Sequence, residues 1–363
     1  MKALILSGGG ARGAYEAGVA TALAERERFD LICGSSIGAV NGAFIAQGDL
    51  GGLRQLWREV IPQEIPAALP HVSQLREVVE RLGSLGSGNR MRDLRALLHA
   101  VAGMRTLDKY RDSARVRAAQ LAGRIAELVD VTAIRHNLLV TATNLSAGVP
   151  AAFLAGADGR PLALPRGEHR RTEYHAITRE NVGEVLVASS ALPGLFPEIE
   201  IVTPDGPQHF ADGGLLNNSP IGLAIDAGAT DITVVFVDEF DRSALSLKRA
   251  SVGERFFVLF LMLQQRLLED ELRMVHLTNE VIRLGGKTDA EYIAVHQVRP
   301  AAPLPVNTLD FDNVPAMDAA FEQGIWDGQR VRSTLIHAAV GRIRHDSRNF
   351  FDLRRLFRFG KSA

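Results

Sequence analysis

The first fifty residues alternate between short apolar runs and longer apolar stretches, with a cluster of glycines after each run. The runs at 2–6 and 29–33 predict β-strands. The stretches at 13–25 and 37–46 predict helices. A βαβα order brings the strands together in parallel, because each helix crosses the sheet before the next strand begins. This segment therefore predicts an α/β fold, a three-layer α/β/α arrangement with a mainly parallel central sheet.

The remainder of the chain continues the alternation less regularly. A charge-rich helical pattern at about 51–130 predicts a helical insertion, broken by the glycines and serines of 83–88. A helix should begin at Asn181, whose side chain can cap it with Glu184 as the capping-box partner, and should end at Pro193. Further strands are predicted at 138–143, 150–154, 208–211, 231–237 and 292–298, and further helices from Pro220, over 251–284 and near 315–341.

We interpret residues 1–340 as a single domain with a helical C-terminal extension, followed by a basic and aromatic tail at 341–363.

The chain has 363 residues with 41 basic and 42 acidic side chains, and this balance argues against a nucleic-acid partner. The single cysteine, Cys33, lies in an apolar run and is predicted to be a buried strand residue. The apolar stretch before the first glycines is too short for a signal peptide, and no run is long enough to cross a bilayer, so we expect a cytoplasmic location.

The first glycine turn is Gly8-Gly9-Gly10-Ala11-Arg12-Gly13. It fits the G-x-G-x-x-G pattern of dinucleotide-binding folds, but such folds also place an acidic residue at the end of the second strand. Asp30 stands at the start of that strand instead, which counts against a nucleotide site. Backbone N–H groups in such a loop can stabilise an oxyanion, since glycine permits a close approach of the backbone.

The second glycine turn is Gly34-Ser35-Ser36-Ile37-Gly38, a G-x-S-x-G sequence between an apolar strand and an apolar helix. This context is typical of a nucleophile elbow, in which a sharp turn projects the serine. Adjacent parallel strands deliver both glycine turns to the same edge of the sheet. We therefore expect the first turn to face an acyl carbon attacked by Ser36.

Ser36 requires a base, and neither a histidine nor an aspartate is excluded by spacing alone. None of the histidines after mid-chain stands in a glycine-rich loop, which weakens a Ser-Asp-His triad. Asp212 follows an apolar strand end and precedes Gly213-Gly214, so its carboxylate should lie at the sheet edge. An aspartate that only stabilises its own turn would give the same pattern.

Four motifs in this order resemble those of patatin-like phospholipases: the glycine loop 8–13, the elbow 34–38, the segment 188–193 and the Asp212 turn. The resemblance implies a patatin-like fold and hydrolysis of fatty-acyl esters in phospholipids or related lipids, without cofactor or metal. It implies that Ser36 is the nucleophile and Asp212 the base of a dyad without histidine. The oxyanion loop would then comprise Gly8, Gly9, Gly10, Arg12 and Gly13. Ser189 and Ser190 would match a structural stretch near the site.

An acyltransferase, a non-lipid esterase and a lipid-binding regulatory protein remain alternatives to a lipid hydrolase. Aspartate has a pKa of about 3.9 in water, which is low for a base at neutral pH. A base role therefore predicts that burial raises the pKa of Asp212, and Leu215 and Leu216 are candidates for the apolar cover. A lipid substrate implies contact with a membrane surface. Two stretches could provide it: the apolar run 256–263, for which a buried helix is the favoured interpretation, and the basic and aromatic tail. For the tail, membrane docking, a partner interface and plain packing are equally open.

Overall fold

The computed structural model describes residues 1–68, 114–157, 171–193, 196–237, 252–285 and 291–330, without the side chains of 252–263 and 265. Within these ranges nine strands form one sheet. The strands are β1 (Lys2–Leu6), β2 (Leu31–Ser35), β3 (Asn137–Asn144), β4 (Val149–Ala155), β5 (Glu173–Ala176), β6 (Ile199–Thr203), β7 (Gly206–Asp212), β8 (Asp231–Val235) and β9 (Ala294–Val298).

The sheet runs in the order β5-β4-β3-β2-β1-β8-β9, with β7 also paired to β3 and β6 paired to β7. The five strands β3, β2, β1, β8 and β9 are mutually parallel. β4 and β7 are both antiparallel to β3, and β6 is antiparallel to β7. The mainly parallel central sheet predicted from the sequence is confirmed.

Helices cover both faces of the sheet. They are α1 (Gly13–Ala24), α2 (Ile37–Gln47), α3 (Leu50–Gln55), α4 (Ile61–Ala68), α5 (114–128), α6 (Val182–Ser189), α7 (Ile221–Asp226), α8 (Val252–Arg283) and α9 (Val314–Arg330). A π-helical turn, Leu56–Val60, joins α3 to α4. No helix in the described ranges is long and apolar enough to cross a membrane.

Alternate residues of the central strands enter two separate cores. Leu4 and Leu6 pack with α1, α2, α5, α6 and α9 on one face. Ala3 and Ile5 pack with α7 and α8 on the other. This follows from the two-residue period of a strand, which turns successive side chains to opposite faces. The result is the three-layer α/β/α arrangement expected from the sequence, and Cys33 is buried in the second core as predicted.

The described parts of the predicted insertion, up to residue 68 and from 114, are helical over most of their length. Helix α5 packs on the first core through Ala118, Leu121 and Ile125. The central part of the insertion, its glycine-rich break at 83–88 and the tail 341–363 lie outside the described residues. Residues 256–263 fall in α8, but their side chains are not described.

The expected capping box at Asn181 is wrong. Asn181 occupies the position before α6, yet its side chain makes no bond to the helix. Its Oδ1 accepts from Thr178 N–H at 2.8 Å and its Nδ2 donates to the carbonyl of Ala176 at 3.0 Å. The side chain therefore closes the preceding turn, a local bond that competes with capping. Helix α6 also ends at Ser189 rather than at Pro193.

Two strands were not predicted from the sequence, the short edge strand β5 and the hairpin strand β6. In β6 the exposed and buried residues alternate, and the exposed Val202 is apolar. β5 has only four residues, none of them buried. Strands at the margin of a sheet gain their order from the neighbour with which they pair, so their own sequence signal is weak.

Candidate active site

Ser36 lies in a strained turn between β2 and α2. Its φ is 54° and its ψ is −134°, and it is the one non-glycine residue with positive φ in the described part of the chain. Such a conformation costs of order 1–3 kcal/mol and persists only where neighbouring structure enforces it. A Cβ on Gly34 would lie 2.4 Å from the carbonyl oxygen of Gly38, and one on Gly38 would lie 2.4 Å from that of Leu6. The flanking glycines are therefore required by close backbone packing.

Ser189 holds the Ser36 peptide in this turn. The Ser36 N–H donates to Ser189 Oγ at 3.0 Å, and Ser189 Oγ donates to the carbonyl oxygen of Thr141 at 2.6 Å. Ser189 is fully buried at the end of α6. Its hydroxyl thus links the strained turn to the neighbouring strand β3, a role that sequence spacing did not reveal.

Asp212 meets Ser36 across 176 positions of sequence. The Ser36 hydroxyl donates to Asp212 Oδ2 at 2.8 Å. The second carboxylate oxygen, Oδ1, accepts the Gly214 N–H at 2.7 Å. Because Asp212 is the last residue of β7, which pairs with β3, the sheet itself brings its side chain to the end of β2.

Burial raises the pKa of Asp212 from 3.8 to about 6, and the hydrogen bonds from Ser36 and Gly214 oppose the shift. Burial is expected to act in this direction because it disfavours the ionised carboxylate. Of the two leucines that the sequence suggested as apolar cover, Leu215 is half-buried and Leu216 is 42% exposed. Asp212 itself, the last residue of β7, is only 3% exposed.

The glycine loop lies directly over Ser36. A Cβ on Gly8 would be 2.5 Å from Ser36 Cβ, so no other residue fits there without movement. The loop residues Gly8, Gly9 and Gly10 line the same pocket as Ser36 and Asp212.

The five residues expected in the oxyanion loop differ in the hydrogen bonds that their backbone N–H groups donate. The Gly8 N–H donates to Asn218 Oδ1 at 3.1 Å, and the Gly13 N–H donates within the short helical turn that ends there. No hydrogen bond from Gly9 or Gly10 N–H is found within the described residues. Arg12 and Gly13 are not among the residues that line the pocket.

The pocket above Ser36 is lined mainly by apolar side chains. They come from α2, the π-helical turn, α4, α5, α6, the segment after α6 and the segment before α9. The apolar lining residues are Ile37, Val40, Leu56, Val60, Ile61, Ile65, Leu121, Ile125, Leu186, Val187, Leu192, Phe196, Leu309 and Phe311. The described ends of the helical insertion thus form part of the wall.

No histidine is among the described residues that line this pocket. Among the described histidines, His296 Nε2 lies 3.2 Å from Asp231 Oδ1 and His209 Nε2 lies 4.0 Å from Glu200 Oε2. The described residues also hold no group of three or more metal-ligating side chains. The arrangement in this part of the molecule therefore offers a serine and a carboxylate as its reactive groups.

Several pocket residues were missed from the sequence. Gln264, Thr308 and Phe311 come from segments that carry no motif, and only the folded chain brings them to the site. Asn218 lies six residues after Asp212 in the same segment. Its polar side chain close to Gly213-Gly214 was the feature of the sequence that could have indicated a place in the site.

The model of the patatin-like phospholipase family matches residues 4–225, more than half of the chain. No curated protein matches the sequence.

Two solved structures are similar at 16% identity over 91% of this chain: VipD from Legionella pneumophila, with a TM-score of 0.37, and the type III effector protein ExoU, with a TM-score of 0.26. The chain spans 66% of the length of VipD and 53% of the length of ExoU. At these scores the assignment rests on the family model, and the chain belongs to the patatin-like phospholipase family, a family of lipid acyl hydrolases.

Proposed function

We propose that this chain hydrolyses fatty-acyl esters of phospholipids or related lipids, with Ser36 as nucleophile and Asp212 as base. The observation that carries the proposal is the 2.8 Å hydrogen bond from Ser36 Oγ to Asp212 Oδ2, between two residues that line a mainly apolar pocket. A serine next to a base, with the base oriented by a third group, is the arrangement needed to activate a hydroxyl. Here the orienting group is the Gly214 N–H.

In the acylation step, Ser36 Oγ attacks the ester carbonyl carbon while its proton passes to Asp212 Oδ2. The carbonyl oxygen becomes an oxyanion, and the N–H groups of Gly9 and Gly10, which make no hydrogen bond within the described residues, are the candidate donors to it. One such donor typically contributes about 2.7–4 kcal/mol to the transition state. When the tetrahedral intermediate collapses, the protonated Asp212 returns the proton to the leaving alcohol oxygen.

In the deacylation step, water attacks the acyl-enzyme and gives its proton to Asp212. Collapse of the second intermediate releases the fatty acid, and Asp212 returns the proton to Ser36 Oγ. A base works best when its pKa lies near the working pH, and a pKa of about 6 places Asp212 much closer to neutrality than a carboxylate in water. The raised pKa therefore supports a base role for a lone carboxylate.

The lining of the pocket supports a lipid substrate rather than a small polar ester. A fatty-acyl chain gains about 0.8 kcal/mol for each buried methylene group, and the apolar walls from α4, α5 and α6 provide such burial. Leu309 lines the pocket and is 41% exposed. We propose that Leu309, at the exposed edge of the pocket, contributes to the contact with the membrane surface from which the lipid enters.

The test combines covalent labelling with product analysis. A fluorophosphonate should modify Ser36, located by mass spectrometry of the digested protein. Wild type should release fatty acid from phospholipid vesicles, and Ser36→Ala should not. Adding an acceptor alcohol separates hydrolysis from acyl transfer, since a transferase would form the new ester in preference to free acid. An adduct on Ser35 or Ser189, or full activity of Ser36→Ala, would refute the assignment.

A further inference from the structure

The glycine loop is anchored at two points by segments that are distant in the sequence. The Gly8 N–H donates to Asn218 Oδ1 at 3.1 Å. The Ala11 N–H donates to the carbonyl oxygen of Thr308 at 2.8 Å. The two peptide N–H groups between these anchors make no hydrogen bond within the described residues. The Gly9 and Gly10 N–H groups between the anchors therefore remain available to a ligand.

The first anchor places Asn218 next to the nucleophile. A Cβ on Gly8 would lie 2.9 Å from Asn218 Oδ1 and 3.2 Å from Ser36 Oγ, so the asparagine, the loop and the serine share one small volume. The atom that faces the Gly8 N–H must be an acceptor, which fixes the orientation of the side-chain amide. Without this oxygen the first peptide of the loop would lose its only hydrogen-bond partner in the described structure.

The second anchor comes from a turn beyond residues 4–225, the range that the family model matches. Asp310 Oδ2 accepts both the backbone N–H of Asn307, at 3.1 Å, and its side-chain Nδ2, at 2.8 Å. These bonds close the turn that presents the Thr308 carbonyl to the loop. Close approach is essential, since a Cβ on Gly10 would lie 2.1 Å from that carbonyl oxygen.

We propose that Asn218 and the Asn307–Asp310 turn form a two-point clamp that sets the direction of the Gly9 and Gly10 N–H groups toward the oxyanion. The proposal rests on the function proposed above. Asn218 and Asp310 are positioning residues in it, because they act through the loop. Misplacement of a catalytic group by about 1 Å can cost on the order of 10²-fold in rate.

The experiment releases each anchor separately. Asn218→Ala removes the acceptor of the Gly8 N–H, and Asp310→Ala opens the turn at Thr308. Each should lower kcat for phospholipid hydrolysis by about 10-fold to 10²-fold and leave KM within about threefold, because the lost interaction acts in the transition state. The matched controls are Asn217→Ala and Asp312→Ala. Neither side chain lines the pocket, and both controls should retain kcat within about threefold of wild type.

Affinity for an alkylboronic acid supplies a readout other than turnover. Its tetrahedral anionic adduct with Ser36 resembles the oxyanion intermediate, so Asn218→Ala should weaken its binding by about the same factor as kcat, while Asn217→Ala should not. In the double variant of Asn218 and Asp310, the fold-loss in kcat should be smaller than the product of the two single fold-losses, since both residues act on one loop.

Suppose that folded Asn218→Ala keeps the kcat and the boronic acid affinity of wild type, while Ser36→Ala is inactive. That result would overturn the clamp and leave the proposed function standing. Activity in Ser36→Ala would instead overturn the proposed function. Thermal denaturation establishes that each variant is folded. Should Asn218→Ala be unstable, Asp310→Ala tests the other anchor by the same measurements, and an unchanged kcat there would equally overturn the clamp.

Discussion

Replacement of Asp212 by asparagine should abolish acylation and stabilise the protein at neutral pH. The side chain keeps its size, and its oxygen can still accept the Gly214 N–H. The amide nitrogen would then face Ser36 Oγ, where the carboxylate now accepts a hydrogen bond at 2.8 Å and would take the serine proton during acylation. An amide cannot take that proton, and loss of a general base costs about 10²-fold to 10⁴-fold in rate.

The stability change follows from the buried charge. A pKa that rises from 3.8 to about 6 on folding means that the folded state holds the proton more tightly than the unfolded state. This contribution to stability is present below about pH 4 and is lost as the pH rises through about 6. At about 1.4 kcal/mol per pKa unit, ionised Asp212 costs the folded protein on the order of 3 kcal/mol at pH 7. Asp212→Asn carries no such cost.

We would measure single-turnover acylation and urea denaturation on the same preparations at pH 4 and pH 7. The variant should be more stable than wild type at pH 7, by up to about 3 kcal/mol, and the difference should shrink toward pH 4. In wild type, kcat/KM should increase with pH through about 6 as Asp212 ionises. Acylation at close to the wild-type rate would refute the base role. A variant that is less stable than wild type at pH 7 would refute the claim that the buried, ionised Asp212 destabilises the folded protein.

Three further predictions follow from the site. Gly8→Ala should fold but lose about 10²-fold in fluorophosphonate labelling rate, because its Cβ would lie 2.5 Å from Ser36 Cβ; unchanged labelling would contradict the close contact. Ser189→Ala should lower the free energy of unfolding by about 1–3 kcal/mol, since the Ser36 N–H loses its acceptor; denaturation curves that match wild type would refute this role. Alanine at single histidines should leave kcat within about tenfold, and a loss of 10²-fold or more at any one would restore the triad. The histidines to replace are His209, His276 and His296.

The sequence by itself determined most of the fold. Apolar runs followed by glycine give strands β1 and β2, and the helices between them follow from local spacing. Such features depend on residues within a few positions of each other, so one chain without relatives is enough to predict them. The same holds for the strained elbow, because a serine between small residues after a strand already indicates a sharp turn. The capping box at Asn181 failed because two local hydrogen bonds competed for one side chain.

Only the tertiary structure decided how the site is assembled. The sequence left open whether Asp212 serves a turn or meets a serine, and the pairing of β7 with β3 places it 2.8 Å from Ser36 Oγ. The pKa of its carboxyl depends on burial by segments far away in the chain. The anchors of the glycine loop, Asn218 and Thr308, are likewise contacts across more than two hundred positions. Contacts of this kind depend on how whole elements pack together, and no local pattern in the sequence encodes them.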